Sequence, residues 1–181
     1  FPYTTLFRSA TGLIYGRFSK PRSYLVFSNH ALVSPYRGGK AVMFRFAAYK
    51  DKHSLSDVEI KVNTGMLVEE NGVTNYKYFS LNLERTRVES MPMSWTVVHP
   101  LDEQSPFWGF TEEDMLNADV EIYVTLRGFD EVFSNYVQSR TSYTFREILF
   151  NRKFVPMFRE SDDNRTTILE LNKINHHSEV Q

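Results

Sequence analysis

Apolar and polar residues alternate along much of the chain with a period of two. The alternation is clearest at residues 57–62, 79–83 and 121–127, where apolar side chains take every second position. This spacing places one row of side chains against a core and the other in water, as in half-buried β-strands. Similar composition predicts further strands over residues 23–28, 30–36, 40–47, 93–99, 132–143, 153–158 and 166–171.

Turn signals separate these strands. The glycine pair at 38–39 and the Asn-Gly pair at 71–72 predict hairpin turns, and the polar run 162–164 predicts a third turn. One short helix is predicted over residues 112–118, because Thr111 can cap it and three acidic residues favour its first turn. Many short strands with turns between them indicate an all-β protein, a β-sandwich with one or two short helices.

The two ends of the chain depart from the pattern. Residues 1–10 are expected to be a sequence artefact or a leader, since the first nine match the translation of a common sequencing-library adapter. Residues 172–181 show no period and are predicted to form a loose tail.

Composition narrows the classes of function. The chain has 181 residues, of which 41% are hydrophobic and 15% aromatic, enough for one domain with a substantial core. Its net charge of −1 argues against nucleic acid as a partner. The absence of cysteine excludes disulfides, thiolate metal sites and a cysteine nucleophile. No apolar run in the sequence approaches the roughly 18 residues that a membrane helix needs.

Candidate chemistry is sparse. His99, Asp102 and Ser105 are the residue types of a hydrolase triad, but they lie in one short segment rather than on converging elements. We therefore expect Asp102 and Ser105 to serve a turn, and His176-His177 to lie in the tail without a metal. The sequence carries no phosphate-binding or dinucleotide glycine motif. It predicts no enzyme, no cofactor and no metal.

A series of short motifs, in order along residues 11–171, is more specific. They are Thr11 to Pro21, Phe27 to Val33, Phe44-Arg45, His99 with Asp102, Ser105-Pro106-Phe107, Asn117-Ala118-Asp119 with Glu121, Gly128 with Glu131, and Arg140 to Tyr143 with Glu147. Together they resemble the cytoplasmic C-terminal domain of inward-rectifier potassium channels, in a bacterial version.

The resemblance implies the organisation of a channel subunit. Residues 11–22 would be the end of the pore-lining inner helix and its linker, and residues 23–171 an immunoglobulin-like cytoplasmic β-sandwich. A pore domain would then precede this sequence in the gene. The implied protein is a homotetramer in the cell membrane, with potassium ions in its pathway and anionic lipid as a partner.

The resemblance also assigns candidate sites. Anionic lipid would be bound by Arg17, Lys20, Arg22 and Lys50. A gate loop at the top of the vestibule would comprise Arg127, Gly128, Phe129, Asp130 and Ser134. Glu131 and Arg140 would brace this loop, and Asp57 would be an acidic position lower in the vestibule.

Arg127 stands where many family members carry an acid, so four copies around a fourfold axis would repel cations. Two arrangements would relieve this: pairing with Asp130 or Glu131, which we expect, or turning into the subunit interface. The alternative to a channel is a soluble β-sandwich that binds protein or carbohydrate through its loops, since fold alone does not settle function.

Overall fold

The computed structural model describes residues 23–50 and 53–180, and most of these residues are in β-strands. The strands are β1 Leu25–Phe27, β2 Ala31–Tyr36, β3 Gly39–Ala48, β4 Leu55–Glu70, β5 Val73–Ser80, β6 Arg87–Ser90, β7 Ser94–Pro100, β8 Glu121–Asp130, β9 Asn135–Thr144, β10 Ile148–Phe150, β11 Arg152–Phe154, β12 Phe158–Glu160, β13 Thr167–Leu169 and β14 His177–Glu179. Within these two ranges one α-helix, α1, spans Glu112–Asn117, and 3₁₀ turns occupy Phe145–Glu147 and Leu171–Lys173. Across the described ranges, no helix is long and apolar enough to cross a bilayer.

The first sheet is organised around β3. This strand pairs antiparallel with β1, β2 and β7, and β10 joins β2 in the parallel sense. Alternation along β3 buries Val42, Phe44 and Phe46 in the main core. Arg45 lies between two of these residues and therefore points to the opposite face of the sheet.

The second sheet has the order β5-β4-β8-β9, with β6 also pairing with β4. The inner face of β8 buries Ile122, Val124 and Leu126, whereas Arg127 on its outer face is exposed. The inner faces of the two sheets pack together to form the main core. The prediction of an all-β, immunoglobulin-like sandwich with a short helix is confirmed.

A buried tyrosine joins the two halves of this core. Tyr143, on the inner face of β9, donates its hydroxyl hydrogen to the backbone carbonyl of Ser28 at 2.9 Å. Burial raises the pKa of Tyr143 to about 12, so its hydroxyl remains a neutral donor at physiological pH. The bond satisfies a polar group inside the sandwich and fixes the segment between β1 and β2.

Most local predictions hold, and the exceptions have simple causes. Asn71 and Gly72 form the predicted turn with φ values of 54° and 77°. The first hairpin turns at Arg37 and Gly38, with φ values of 48° and 80°, one residue before the predicted glycine pair. Thr111 caps α1 as predicted, through reciprocal hydrogen bonds with Asp114.

Two predicted strands have different bounds in the structure. The run 153–158 is divided into β11 and β12, with Pro156, which cannot donate a ladder hydrogen bond, between them. The run 132–143 begins as a strand only at Asn135, because residues 131–134 form the turn that precedes β9.

The prediction of a loose tail from Asn172 is wrong. Residues 177–179 form β14, which pairs antiparallel with β11, and Ile174 is buried against Ala47 and Met157. Arg45 holds this segment by donating hydrogen bonds to the carbonyls of residues 155, 173, 174 and 176. No local periodicity marks the segment, because its order comes from contacts with β3, about 130 residues earlier in the sequence.

Candidate functional site

The β8–β9 hairpin ends in a turn, residues 131–134, whose conformation depends on Asp130. Asp130 is fully buried, and its Oδ1 accepts hydrogen bonds from the backbone N–H groups of Val132 at 2.9 Å and Phe133 at 3.0 Å. Ser134 adopts a φ of 49° as the chain enters β9. Because burying a carboxylate without donors is costly, these bonds favour a single conformation of the turn.

A third hydrogen bond reaches Asp130 from outside the hairpin. His53, two residues before β4, places its Nδ1 2.8 Å from Oδ2 of Asp130. The side chain of His53 is only 12% exposed. Since the carboxylate accepts this bond, the imidazole carries a proton on Nδ1. The buried carboxylate is therefore shared between the turn and the segment that leads into β4.

Aromatic rings surround this hydrogen bond. The centroid of the Tyr24 ring lies 4.2 Å from that of the His53 ring, and the centroid of the Phe133 ring lies 5.0 Å from that of the His53 ring. The Nζ of Lys50 is 4.3 Å from the centroid of Tyr24, a cation–π contact. A continuous series of contacts thus links Lys50 to the turn. We call Tyr24, Lys50, His53, Asp130 and Phe133 the inner cluster.

On the outer face of the second sheet, a β-bulge in β4 directs Asp57 toward β9. Asp57 has a φ of 50°, and the pairing of β4 with β8 shifts register between Ser56 and Glu59. The hydroxyl of Tyr136 donates to Oδ2 of Asp57 at 2.7 Å, and Arg87 contacts Oδ1 at 2.5 Å. These hydrogen bonds, that of Tyr136 first, hold the pKa of Asp57 below its ordinary value.

Arg127 completes this group of side chains. The guanidinium carbon of Arg127 lies 4.1 Å from the centroid of the Tyr136 ring, and Arg127 is opposite Glu59 in the strand register. With Asp57 and Arg87, these residues line a hollow of about 100 Å³. We call the five residues the outer cluster. Its two carboxylates and two guanidinium groups give a formal charge of zero.

The sequence of the chain matches a known protein family. The family described as inward rectifier potassium channel C-terminal domain matches residues 25–181, almost the whole described range. The chain belongs to this family. The family consists of channel domains rather than enzymes, in agreement with the sequence analysis.

Individual relatives support the assignment. The inward rectifier potassium channel Kirbac3.1 of Paramagnetospirillum magnetotacticum is 32% identical over 165 residues, which cover 91% of this chain and 55% of that protein. The G protein-activated inward rectifier potassium channel 2 is 26% identical over 162 residues in both Pongo abelii and Mus musculus, covering 83% of this chain and 37% of each protein. The chain therefore spans about half or less of the length of these relatives.

A solved structure of the sporulation control protein Spo0M from Bacillus subtilis aligns with a TM-score of 0.36 and 11% identity, over 71% of this chain and 50% of that one. At that distance the likeness bears on neither fold nor function.

The predicted gate-loop residues of this inward rectifier domain lie together at the end of β8, but on two faces. Arg127 and Phe129 point outward, whereas Gly128 and Asp130 point into the core. The prediction that Arg127 pairs with Asp130 or Glu131 is wrong. Asp130 is an odd number of residues away and so faces the opposite side of the strand, and Arg127 contacts Tyr136 instead.

Gly128 lies where β8 packs against β4. A side chain at this position would begin 3.2 Å from the side chains of Leu55 and Val58, which belong to the core. Gly128 therefore allows β4 and β8 to pack closely inside the sandwich.

Two further site assignments stay predictions about the assembled protein. Within one chain, Glu131 and Arg140 do not contact each other, because Arg140 is opposite Thr125 and far along the hairpin from the turn. Arg140 instead lies beside Gln138, whose amide oxygen accepts from its guanidinium at 2.9 Å in the orientation that satisfies both groups. Asp57, expected lower in the vestibule, belongs to the outer cluster at the same end of the sheet as Arg127.

Of the predicted lipid-binding cations, only Lys50 can be placed. It is exposed at the end of β3 and contacts Tyr24. Arg17, Lys20 and Arg22 lie outside the described residues. Among the residues that the structure does describe, no three histidine, aspartate or glutamate side chains are grouped so as to hold a metal ion.

The triad-like residues form a buried structural pair. His99 donates from Nδ1 to the carbonyl of Asn82 at 2.6 Å, and its Nε2 accepts from the hydroxyl of Ser105 at 2.8 Å. Burial lowers the pKa of His99. Asp102 takes no part and instead accepts from the N–H of Gln104 in a turn, as the sequence analysis expects. Because His99 and Ser105 are buried, this pair serves packing rather than catalysis.

Sequence reasoning missed several residues of both clusters. His53, Tyr24, Tyr136, Arg87 and Glu59 carried no prediction. For His53, the available signal was a histidine directly before a long strand, which alone does not identify its partner. Tyr24 reaches His53 and Lys50 through the pairing of β1 with β3 and the hydrogen bond that follows it, from the N–H of Tyr49 to the carbonyl of Tyr24. The other three become neighbours only through the strand register and the bulge in β4.

Proposed function

We propose that the chain is the cytoplasmic part of a potassium channel subunit, and that four copies extend the ion path below the pore. The observation that supports this most directly is the outer cluster, which sets charged side chains beside the β8–β9 turn on the solvent-facing side of the sheet. In the proposal this turn is the gate, and the outer face of the second sheet lines the pathway.

The charge of the outer cluster is compatible with passage of cations. An isolated ring of four arginines would lower the local concentration of potassium. Here Asp57 and Glu59 balance Arg87 and Arg127, so the five residues together are neutral, and Lys61, whose Nζ lies 3.3 Å from Oε1 of Glu59, adds one cation beside them. The stacking of Arg127 on Tyr136 further keeps its side chain against the sheet rather than free in the pathway.

The proposed lipid response acts through cations near the membrane. Lys50 would contribute together with Arg17, Lys20 and Arg22, since basic side chains close to a bilayer are attracted by anionic headgroups. In the proposal, the chain lies on the cytoplasmic side of the cell membrane. The inner cluster then lies between Lys50 and the proposed gate.

The test is cation flux through the full-length protein in liposomes, with Arg127→Glu as the decisive variant. The substitution changes the outer cluster from neutral to two negative charges in each subunit. We expect cation conductance to rise by roughly twofold or more, and block by spermine from the cytoplasmic side to strengthen.

Lys40→Glu is the matched control, because it makes the same charge change at an exposed position on the first sheet. It should leave conductance and spermine block as in the unmodified channel. Equal conductance and block for Arg127→Glu and the unmodified channel would show that the outer cluster does not face the pathway. The coding sequence before this chain should also encode two apolar helices around a selectivity filter.

A further inference from the structure

We propose that His53 is a positioning residue for the proposed gate: its hydrogen bond to buried Asp130 holds the β8–β9 turn and couples that turn to the segment carrying Lys50. The coupling to lipid rests on the proposed function. The hold on the turn rests only on the geometry of the inner cluster.

The first step is the dependence of the turn on Asp130. Its carboxylate is fully buried and accepts three hydrogen bonds, two from the N–H groups of Val132 and Phe133 and one from His53. Each bond offsets part of the cost of removing a charge from water. Loss of any donor therefore weakens the tendency of the carboxylate to stay in the core, and with it the bonds that order the turn.

The second step is that His53 is the only one of these donors outside the hairpin. Its side chain belongs to the segment between β3 and β4, which also carries Lys50. Any displacement of His53 moves its Nδ1 away from a carboxylate oxygen 2.8 Å distant. The turn and the side chain of His53 therefore keep their positions together.

The third step is the packing that fixes the imidazole. Tyr24 and Phe133 contact its ring, and Phe133 is itself a residue of the turn. Tyr24 and Phe133 are also nearly parallel, at an interplanar angle of 18°. Tyr24 in turn carries Lys50 over its face. A movement of Lys50 toward an anionic headgroup would be transmitted through Tyr24 to His53, and from there to Asp130.

Two substitutions of His53 separate the hydrogen bond from the packing. His53→Phe keeps an aromatic ring against Tyr24 and Phe133 but removes the donor. His53→Asn removes the ring but keeps an N–H donor near the position of Nδ1. In His53→Phe the buried carboxylate of Asp130 has one donor fewer. A double variant, His53→Phe with Asp130→Asn, also removes the negative charge of that carboxylate.

The first measurement is backbone hydrogen exchange in the full-length protein, by mass spectrometry of peptides that contain Val132 and Phe133. Exchange at these amides should accelerate on the order of tenfold in His53→Phe. It should stay within about twofold of the unmodified protein in His53→Asn, and the double variant should lie between the two. His176→Phe, the same substitution at an exposed histidine of the C-terminal segment, should leave exchange unchanged.

The second measurement is potassium flux in vesicles of phosphatidylcholine alone and of phosphatidylcholine with phosphatidylglycerol. The ratio of the two fluxes should fall toward one in His53→Phe and be retained in His53→Asn. Thermal unfolding confirms that each variant is folded before either measurement is interpreted.

The outcomes distinguish the two proposals. Unchanged exchange in His53→Phe, or equal acceleration in His53→Phe and His53→Asn, overturns the role of the hydrogen bond. Accelerated exchange with an unaltered flux ratio overturns the coupling to lipid. If the unmodified protein passes no potassium, the proposed function fails, whereas the exchange result still decides whether His53 holds the turn.

Discussion

The side chain of Asp57 shows how single residues set the charge of the outer cluster. Tyr136 on β9 and Arg87 on β6 both donate to its carboxylate, and the pKa of Asp57 is lowered as a result. The same hydrogen bond raises the pKa of Tyr136. The carboxylate thus remains ionised over a wider range of pH than an isolated aspartate.

We expect Tyr136→Phe to raise the pKa of Asp57 toward its ordinary value of about 3.9, because the substitution removes the first of these donors and retains the ring beneath Arg127. Nuclear magnetic resonance titration of the Asp57 carboxyl measures this directly. Tyr49→Phe, at an exposed tyrosine outside the cluster, is the control. An unchanged titration in Tyr136→Phe would contradict the assigned hydrogen bond.

The sign of the pH dependence follows from the lowered pKa. A carboxyl whose pKa is lower in the folded than in the unfolded state stabilises the fold at pH values above the unfolded pKa. That contribution is lost as the pH falls through the folded-state pKa. Acidification therefore weakens the bonds that Asp57 makes with β6 and β9 before it affects the apolar core.

At the scale of elements, the C-terminal segment depends on one buried cation. Arg45 is 4% exposed, and its guanidinium donates to four backbone carbonyls and lies 4.3 Å from the centroid of Phe154. Burial lowers the pKa of Arg45 to about 10, which still leaves it protonated at neutral pH. The cation thus supplies the donor that the carbonyls of Val155 and Ile174 would otherwise lack, and a second donor to those of Lys173 and His176.

We expect Arg45→Met to lower the free energy of unfolding by about 3 kcal/mol, since it leaves the carbonyls of Val155 and Ile174 without a donor and removes one of two donors from those of Lys173 and His176. Urea denaturation of the chain measures the change. Arg159→Met is the control, because the side chain of Arg159 is exposed and its contact with Glu170 is long, at 3.7 Å. That variant should lose less than about 1 kcal/mol. Equal losses in both variants would mean that the C-terminal segment does not depend on Arg45.

The elements differ in how far the sequence alone could predict them. β8 was predictable because apolar and polar residues alternate over residues 121–127, and this alternation matches which side chains are buried. α1 was predictable because Thr111 and Asp114, which are close in sequence, form its N-terminal cap. β10 and β14 have three residues each, too few to show a period. Their order comes from β2 and β11, which are distant in sequence, and no local pattern encodes such pairing.

The candidate site was predictable in position but not in its contacts. The resemblance grouped the residues from Arg127 to Ser134 in one loop, and in the structure they lie together at the end of β8 and in the turn that follows it. Their partners depend on the alternation of side chains along β8, which puts Arg127 and Asp130 on opposite faces. They also depend on the bulge that displaces Asp57. A bulge adds one residue to one strand and reverses the faces that follow, so alternation in sequence does not reveal it.

At the scale of the whole molecule, the proposed channel requires four chains around one axis. We expect the full-length protein in detergent to have the mass of a tetramer by light scattering. Domains separated from a membrane part should associate more weakly, because a shared membrane anchor raises their effective concentration. A stable monomer or dimer of the full-length protein would contradict the assembly, whatever the outcome for His53.

The position of Arg45 has a consequence for the order of events during synthesis. The carbonyls that it binds at residues 173, 174 and 176 follow it by 128 to 131 positions in the chain. At translation rates of 5–20 residues per second, they leave the ribosome roughly 6 to 26 seconds after Arg45 does. Until residue 155 leaves the ribosome, the guanidinium has none of its four carbonyl acceptors, and Ala47 lacks both Met157 and Ile174. The sandwich can therefore close on this side only when residues 173–176 have left the ribosome, so this part of the fold is completed late in synthesis.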